Sequence, residues 1–118
     1  MATGLQIKLS YKASHFVSRL KHPVHSAPHF HTWEVVLRIA GNLDAHEVQH
    51  WMHGQAPHFG EHGDRGVEDI ADWWAARAVR HWHKPPGVRV LGLSVMREDG
   101  IGAWIDLAAR TGRASRKR

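Results

Sequence analysis

Residues 5–12, LQIKLSYK, alternate without a break. Leu5, Ile7, Leu9 and Tyr11 fall on one side of an extended chain, and Gln6, Lys8, Ser10 and Lys12 on the other. Residues 29–40, HFHTWEVVLRIA, set out Trp33, Val35, Leu37 and Ile39 in the same way. Successive side chains of a strand point to opposite faces, so a period of two predicts strands with one buried and one wet face. Such half-buried strands belong to antiparallel sheets covered on one side. The second strand raises a question. Its future core face begins with two ionisable rings, His29 and His31, and His25 lies just before them.

The rest of the chain can be placed around these two strands. The first is expected to run on through ASHFVS, with a bulge. KHPVHSAP (21–28) holds two prolines and reads as loop, and Gly41-Asn42 opens a turn. EVQHWM (47–52) reads as a third strand, followed by a Gly/His-rich loop over 53–66. A helix is predicted over 65–83. Asp64 is its expected N-cap, and Glu68 and Asp69 suit the positive end of its dipole. Val67, Ile70, Trp74, Ala78 and His81 form its apolar stripe, and KPPG (84–87) stops it. VRVLGLSVMRE and IGAWIDLA then pair as a hairpin across Asp99-Gly100. The order β-β-β-α-β-β predicts an α+β fold, an antiparallel sheet with helix on one face. Residues 1–109 are expected to form a single domain, with a basic tail over 110–118. Open sheet edges invite assembly with further subunits.

Charge and composition narrow the function. The net charge of +5 suggests nucleic acid, but five basic residues sit in the tail RTGRASRKR. Taking them from the 16 Lys and Arg leaves 11, equal to the 11 acidic residues, so the body is neutral. No stacking-aromatic or zinc-finger spacing supports a nucleic-acid partner. No run approaches the roughly 20 apolar residues of a membrane helix. The N-terminus lacks the apolar core of a signal peptide, so a cytoplasmic protein is expected. Zero Cys excludes disulfides, thiolate ligands and a cysteine nucleophile.

Twelve His in 118 residues are many. GC-rich coding would raise their number but not choose their places. His29 and His31, two apart on a strand, project together, roughly 7 Å apart by rise alone. That suits two ligands of one tetrahedral zinc ion. His15, on the neighbouring strand, is the natural third. Three imidazoles leave a fourth position open, as in catalytic rather than structural zinc sites. The plain alternative is a surface pair at a strand end. No role is expected for His22, His46, His50, His53, His81 or His83.

YKASHFVSRL followed by HSAPHFHTWEVVLRIAG resembles the zinc-binding first half of the 6-pyruvoyl-tetrahydropterin synthase family, which includes the 6-carboxy-tetrahydropterin synthases. Tyr11, Ala13 and His15 fit its aromatic-x-Ala-x-His strand. His29, Phe30 and His31 fit its His-Gly-His, with Phe in place of Gly. GVEDIADWW is similar to the family's Thr-x-Glu-Asn helix start, with Glu68 at the Glu, Asp69 at the Asn and Gly66 at the Thr. SVMREDGIGAWI is similar to its closing hairpin, with Glu98 at the pterin-anchoring Glu, Trp104 near an aromatic position and a shorter turn. The resemblance covers most of residues 7–105. It implies the tunnelling fold, with subunits joined edge to edge into a barrel as a trimer or hexamer. It also implies zinc on His15, His29 and His31, and a small-molecule substrate held by Glu98, Glu68 and Trp104.

The departures are as informative. The family's Cys, about four residues before His-x-His, is here His25. Its Asp-His pair becomes Pro57-His58, with His62 as the fallback, and a whole helix before that loop looks missing. Histidine can move protons without tuning, because its ordinary pKa of about 6.5 lies near neutrality. His25 and His58 are therefore the expected proton-transfer groups, with Glu98 beside them. Trp73, Trp74 and Trp82 are expected to be packing residues. The resulting expectation is a zinc-dependent lyase or synthase acting on a reduced pterin or a sugar-phosphate-derived side chain. Two alternatives stay open. One is a recruited paralogue in secondary metabolism that condenses an aldehyde with an aromatic amine in a Pictet–Spengler-type cyclisation. The other is a non-catalytic metal- or ligand-binding oligomer.

Overall fold

The computed structural model describes residues 4–83 and 86–107. The tail over 110–118 lies outside the described residues. The elements are β1 (Leu5–Phe16), a 3-10 turn (Ser18–Leu20), β2 (His29–Ala40), α1 (Ala45–Gln55), β3 (Glu61–Asp64), α2 (Val67–Trp82), β4 (Arg89–Arg97) and β5 (Gly102–Asp106). The strands form one curled sheet in the order β3-β1-β2-β4-β5. The α+β class is as expected. The sheet, however, is mixed rather than wholly antiparallel, because β3 runs parallel to β1.

The alternation in β1 and β2 becomes the core. Ile7, Leu9, Tyr11 and Ala13 point inward beside Trp33, Val35, Leu37 and Ile39, and all eight are buried. Leu93 and Val95 of β4 extend this face. Helix α2 covers it with Ile70, Ala71, Trp74, Ala75, Ala78 and Trp82. The helical stripe ends on Trp82, four residues beyond Ala78, and His81 is exposed instead. Trp74 and Trp82 are core residues as expected, and Trp73 is half-buried. Among the described residues no helix is long and apolar enough to cross a membrane.

Three expectations about elements are corrected. Residues 47–52 are helical, not a third strand, and lie within α1. Asp44 caps it by accepting from His46 N–H at 2.9 Å. Val48 and Met52, one turn apart, are its buried residues. Alternation over six residues cannot separate these two periods, and the cap decides. The 53–66 segment is not all loop, since β3 lies within it. Finally, the N-cap of α2 is Gly66, whose N–H donates to Asp69 at 3.0 Å. The Asp64 carboxylate is occupied elsewhere. It accepts from the Ser18 N–H at 3.0 Å and from the Ser18 hydroxyl, and these bonds lower its pKa.

Candidate metal centre

The pairing of β1 with β2 answers the question posed by the histidines. His15 lies directly opposite His29, and Ala13 opposite His31. All three histidines share the parity of the core face, at the end where apolar residues give out. One ring nitrogen from each lies within 4.8 Å of the other two. Ring centroids are 4.5 Å apart for His15 and His29, 5.1 Å for His15 and His31, and 4.9 Å for His29 and His31. The floor is Trp33, perpendicular to His15 at 4.9 Å, with its Nε1–H donated to the Ala13 carbonyl. These three side chains can hold a metal ion.

The hydrogen bonds fix which nitrogen faces the centre. His15 Nδ1 lies 2.7 Å from the Arg65 carbonyl oxygen, and His29 Nδ1 lies 2.8 Å from that of Ala27. His31 Nδ1 lies 2.7 Å from Glu98 Oε2. A carbonyl or carboxylate oxygen only accepts, so each Nδ1 carries the proton and each neutral ring keeps its lone pair on Nε2. The Nε2 atoms of His15 and His31 are buried with no partner among the described residues. Buried polar atoms are nearly always satisfied, and two orphans in one place call for an explanation. Three imidazoles each held at Nδ1, two of them bare at Nε2, match the arrangement metal-binding histidines adopt. The residues present therefore fit a cation such as zinc. Burial is the largest cause that lowers the pKa of His15; the Arg65 carbonyl works against it, and His29 and His31 add to it. A neutral ring is the form a metal needs.

The other expected site residues are spread out. His25 is near: its exposed ring lies 6.4 Å from that of His29, and its carbonyl accepts from Val17 N–H, tying the 21–28 loop to the end of β1. Glu98 is at the centre, but turned to His31. His58 meets Tyr11 edge-on at 6.1 Å, but none of the three clustered histidines is among its partners. It stacks on His53 at 5.7 Å and its Nε2 bonds the His53 carbonyl. Glu68 is exposed and pairs with Arg19 at 3.2 Å. Trp104 lies across from Ser94 and is 76% exposed.

His62, the fallback, is buried beneath the centre in a network the sequence does not announce. Trp74 Nε1–H donates to the Tyr11 hydroxyl at 2.9 Å, and that hydroxyl meets His62 Nε2 at 2.7 Å. With Trp74 as donor, Tyr11 is satisfied only by donating onward to His62. Burial raises the Tyr11 pKa, so the hydroxyl keeps its proton. Burial, with Arg65 and His15 nearby, pushes His62 down to about 4. The Arg65 carbonyl was likewise missed. A backbone acceptor has no residue type to recognise, and only the parallel pairing of β3 brings it to His15.

No protein-family model matches this chain, and neither does any curated protein.

Proposed function

We propose that this chain is a zinc-dependent lyase or synthase of the tetrahydropterin-synthase type, acting on a reduced pterin or a sugar-phosphate-derived side chain. One observation carries the reading: three imidazoles from two adjacent strands, each held at Nδ1, bring one ring nitrogen apiece within 4.8 Å of the other two. The order of motifs from Tyr11 to Trp104 supports the choice of reaction class. His15, His29 and His31 would hold the zinc, which when bound would supply Lewis-acid polarisation of a substrate oxygen.

The chain's own groups do the rest. Trp33 and the core beneath it close the inner side of the centre, so substrate approaches from the open end of the sheet. His25, exposed on the 21–28 loop beside His29, is the group placed to take or give a proton there. His58, bonded to the His53 carbonyl, has no part in this reading.

The test is elemental analysis of the purified protein together with turnover of a reduced pterin triphosphate. The expected result is one zinc per chain, removed by a chelator and by His29→Ala, with turnover that depends on the metal. Zinc without turnover would move the assignment to a metal-binding oligomer, and no zinc would end it.

A further inference from the structure

The resemblance assigns Glu98 to the substrate. The geometry gives it other work, and we infer that Glu98 is a positioning residue of the metal centre that acts through His31. The inference rests on the metal reading above and goes beyond it by naming the residue that fixes one ligand.

Both oxygens of the carboxylate are engaged. Oε2 accepts from His31 Nδ1–H at 2.7 Å, and Oε1 accepts from the Thr32 N–H at 3.3 Å. Consecutive residues of β2 are thus held by one side chain. The His31 side chain is 13% exposed, while that of Glu98 is 49% exposed. The carboxylate therefore caps the ring from the solvent side.

The turn carrying Glu98 is built to hold it still. Arg97 N–H donates to the Ile101 carbonyl at 2.8 Å, and Gly100 N–H to the Arg97 carbonyl at 3.1 Å. Gly100 has φ 89, a left-handed conformation that suits glycine. The Asp99 carboxylate grips the Arg97 guanidinium and also accepts from Ile101 N–H. The β4–β5 turn is thus stapled on both sides of Glu98. His15 and His29 lean on uncharged carbonyls. His31 alone of the three leans on a charge, and a carboxylate partner fixes the ring and raises the basicity of the far nitrogen.

A residue that only anchors substrate leaves metal affinity unchanged when no substrate is present. The test is therefore zinc affinity of the whole chain by competition with a chromophoric chelator, without substrate. The visible spectrum of the cobalt-loaded protein is recorded alongside. Glu98→Ala is expected to weaken zinc about ten- to hundredfold and to alter the cobalt bands. Glu98→Gln, which keeps an acceptor oxygen but not the charge, should fall between wild type and Glu98→Ala. Glu34→Gln removes one charge from β2, the strand that carries His31, without touching a ligand, and should leave both readouts in place. Wild-type affinity and spectrum in Glu98→Ala would overturn the inference while leaving the metal centre standing. Equal losses in Glu98→Gln and Glu34→Gln would reduce it to net charge and overturn it too. Failure of the wild type itself to bind zinc would remove the centre and this role together.

Discussion

At the scale of single residues, the centre rests on polar groups deep in the sheet. Tyr11 satisfies Trp74 and His62 at once. Tyr11→Phe strands a buried donor and a buried acceptor, and should cost about 1–3 kcal/mol in a urea titration. An unchanged midpoint would show the network to be idle. His62 makes a pH-dependent prediction. Its folded pKa of about 4 lies below the ordinary 6.5, so as pH falls the unfolded chain takes up the proton first. Stability from neutral His62 is present above pH 6.5, declines toward pH 4 and is gone below it. The drop is about 3 kcal/mol, at 1.36 kcal/mol per pH unit. In metal-free protein, His62→Gln should flatten the stability curve between pH 7 and 4 by about that amount; parallel curves would contradict it. The three candidate ligands were legible in the sequence because strand parity is arithmetic and an antiparallel neighbour brings His15 alongside; the register that sets His15 opposite His29 was not. Their Nδ1 partners were not, since two are backbone carbonyls and the third sits on a turn 67 residues from His31.

At the scale of elements, what was legible followed length and contrast. Strands β1 and β2 alternate over many residues and could be read directly, as could α2 and the β4–β5 hairpin. Helix α1 could not, because Val48, His50 and Met52 alternate like a strand while Val48 and Met52 also lie one helical turn apart. Asp44 is the discriminating residue. Asp44→Ala should lower stability by about 1 kcal/mol in chemical denaturation, as losing an N-cap does. No loss would mean the cap is not what holds α1. Strand β3 was hidden for another reason. Its four residues, Glu61, His62, Gly63 and Asp64, carry no apolar pattern, and only backbone pairing with β1 makes them a strand. Yet this segment leads into Arg65, whose carbonyl orients His15. The least legible element therefore supports the most buried ligand.

At the scale of the whole molecule, the sheet of the described residues ends in two edges, β3 and β5, and the assembly that the family resemblance implies would join subunits through such edges. Sedimentation of the purified protein is expected to give a trimer or hexamer, and a monomer at all concentrations would contradict that. Metal should couple to folding as well. A cation that binds only the folded chain adds about 2.7 kcal/mol at a concentration a hundred times its dissociation constant. That gain should fade under acid as the imidazoles protonate. All of this depends on His15, His29 and His31 sharing one ion, and X-ray absorption at the zinc edge of the loaded protein probes that sharing without an intermediary. Scattering from three imidazoles bound through nitrogen at about 2.0–2.1 Å is expected. A zinc surrounded by two imidazoles or fewer, or an unchanged spectrum in His15→Ala, would contradict it.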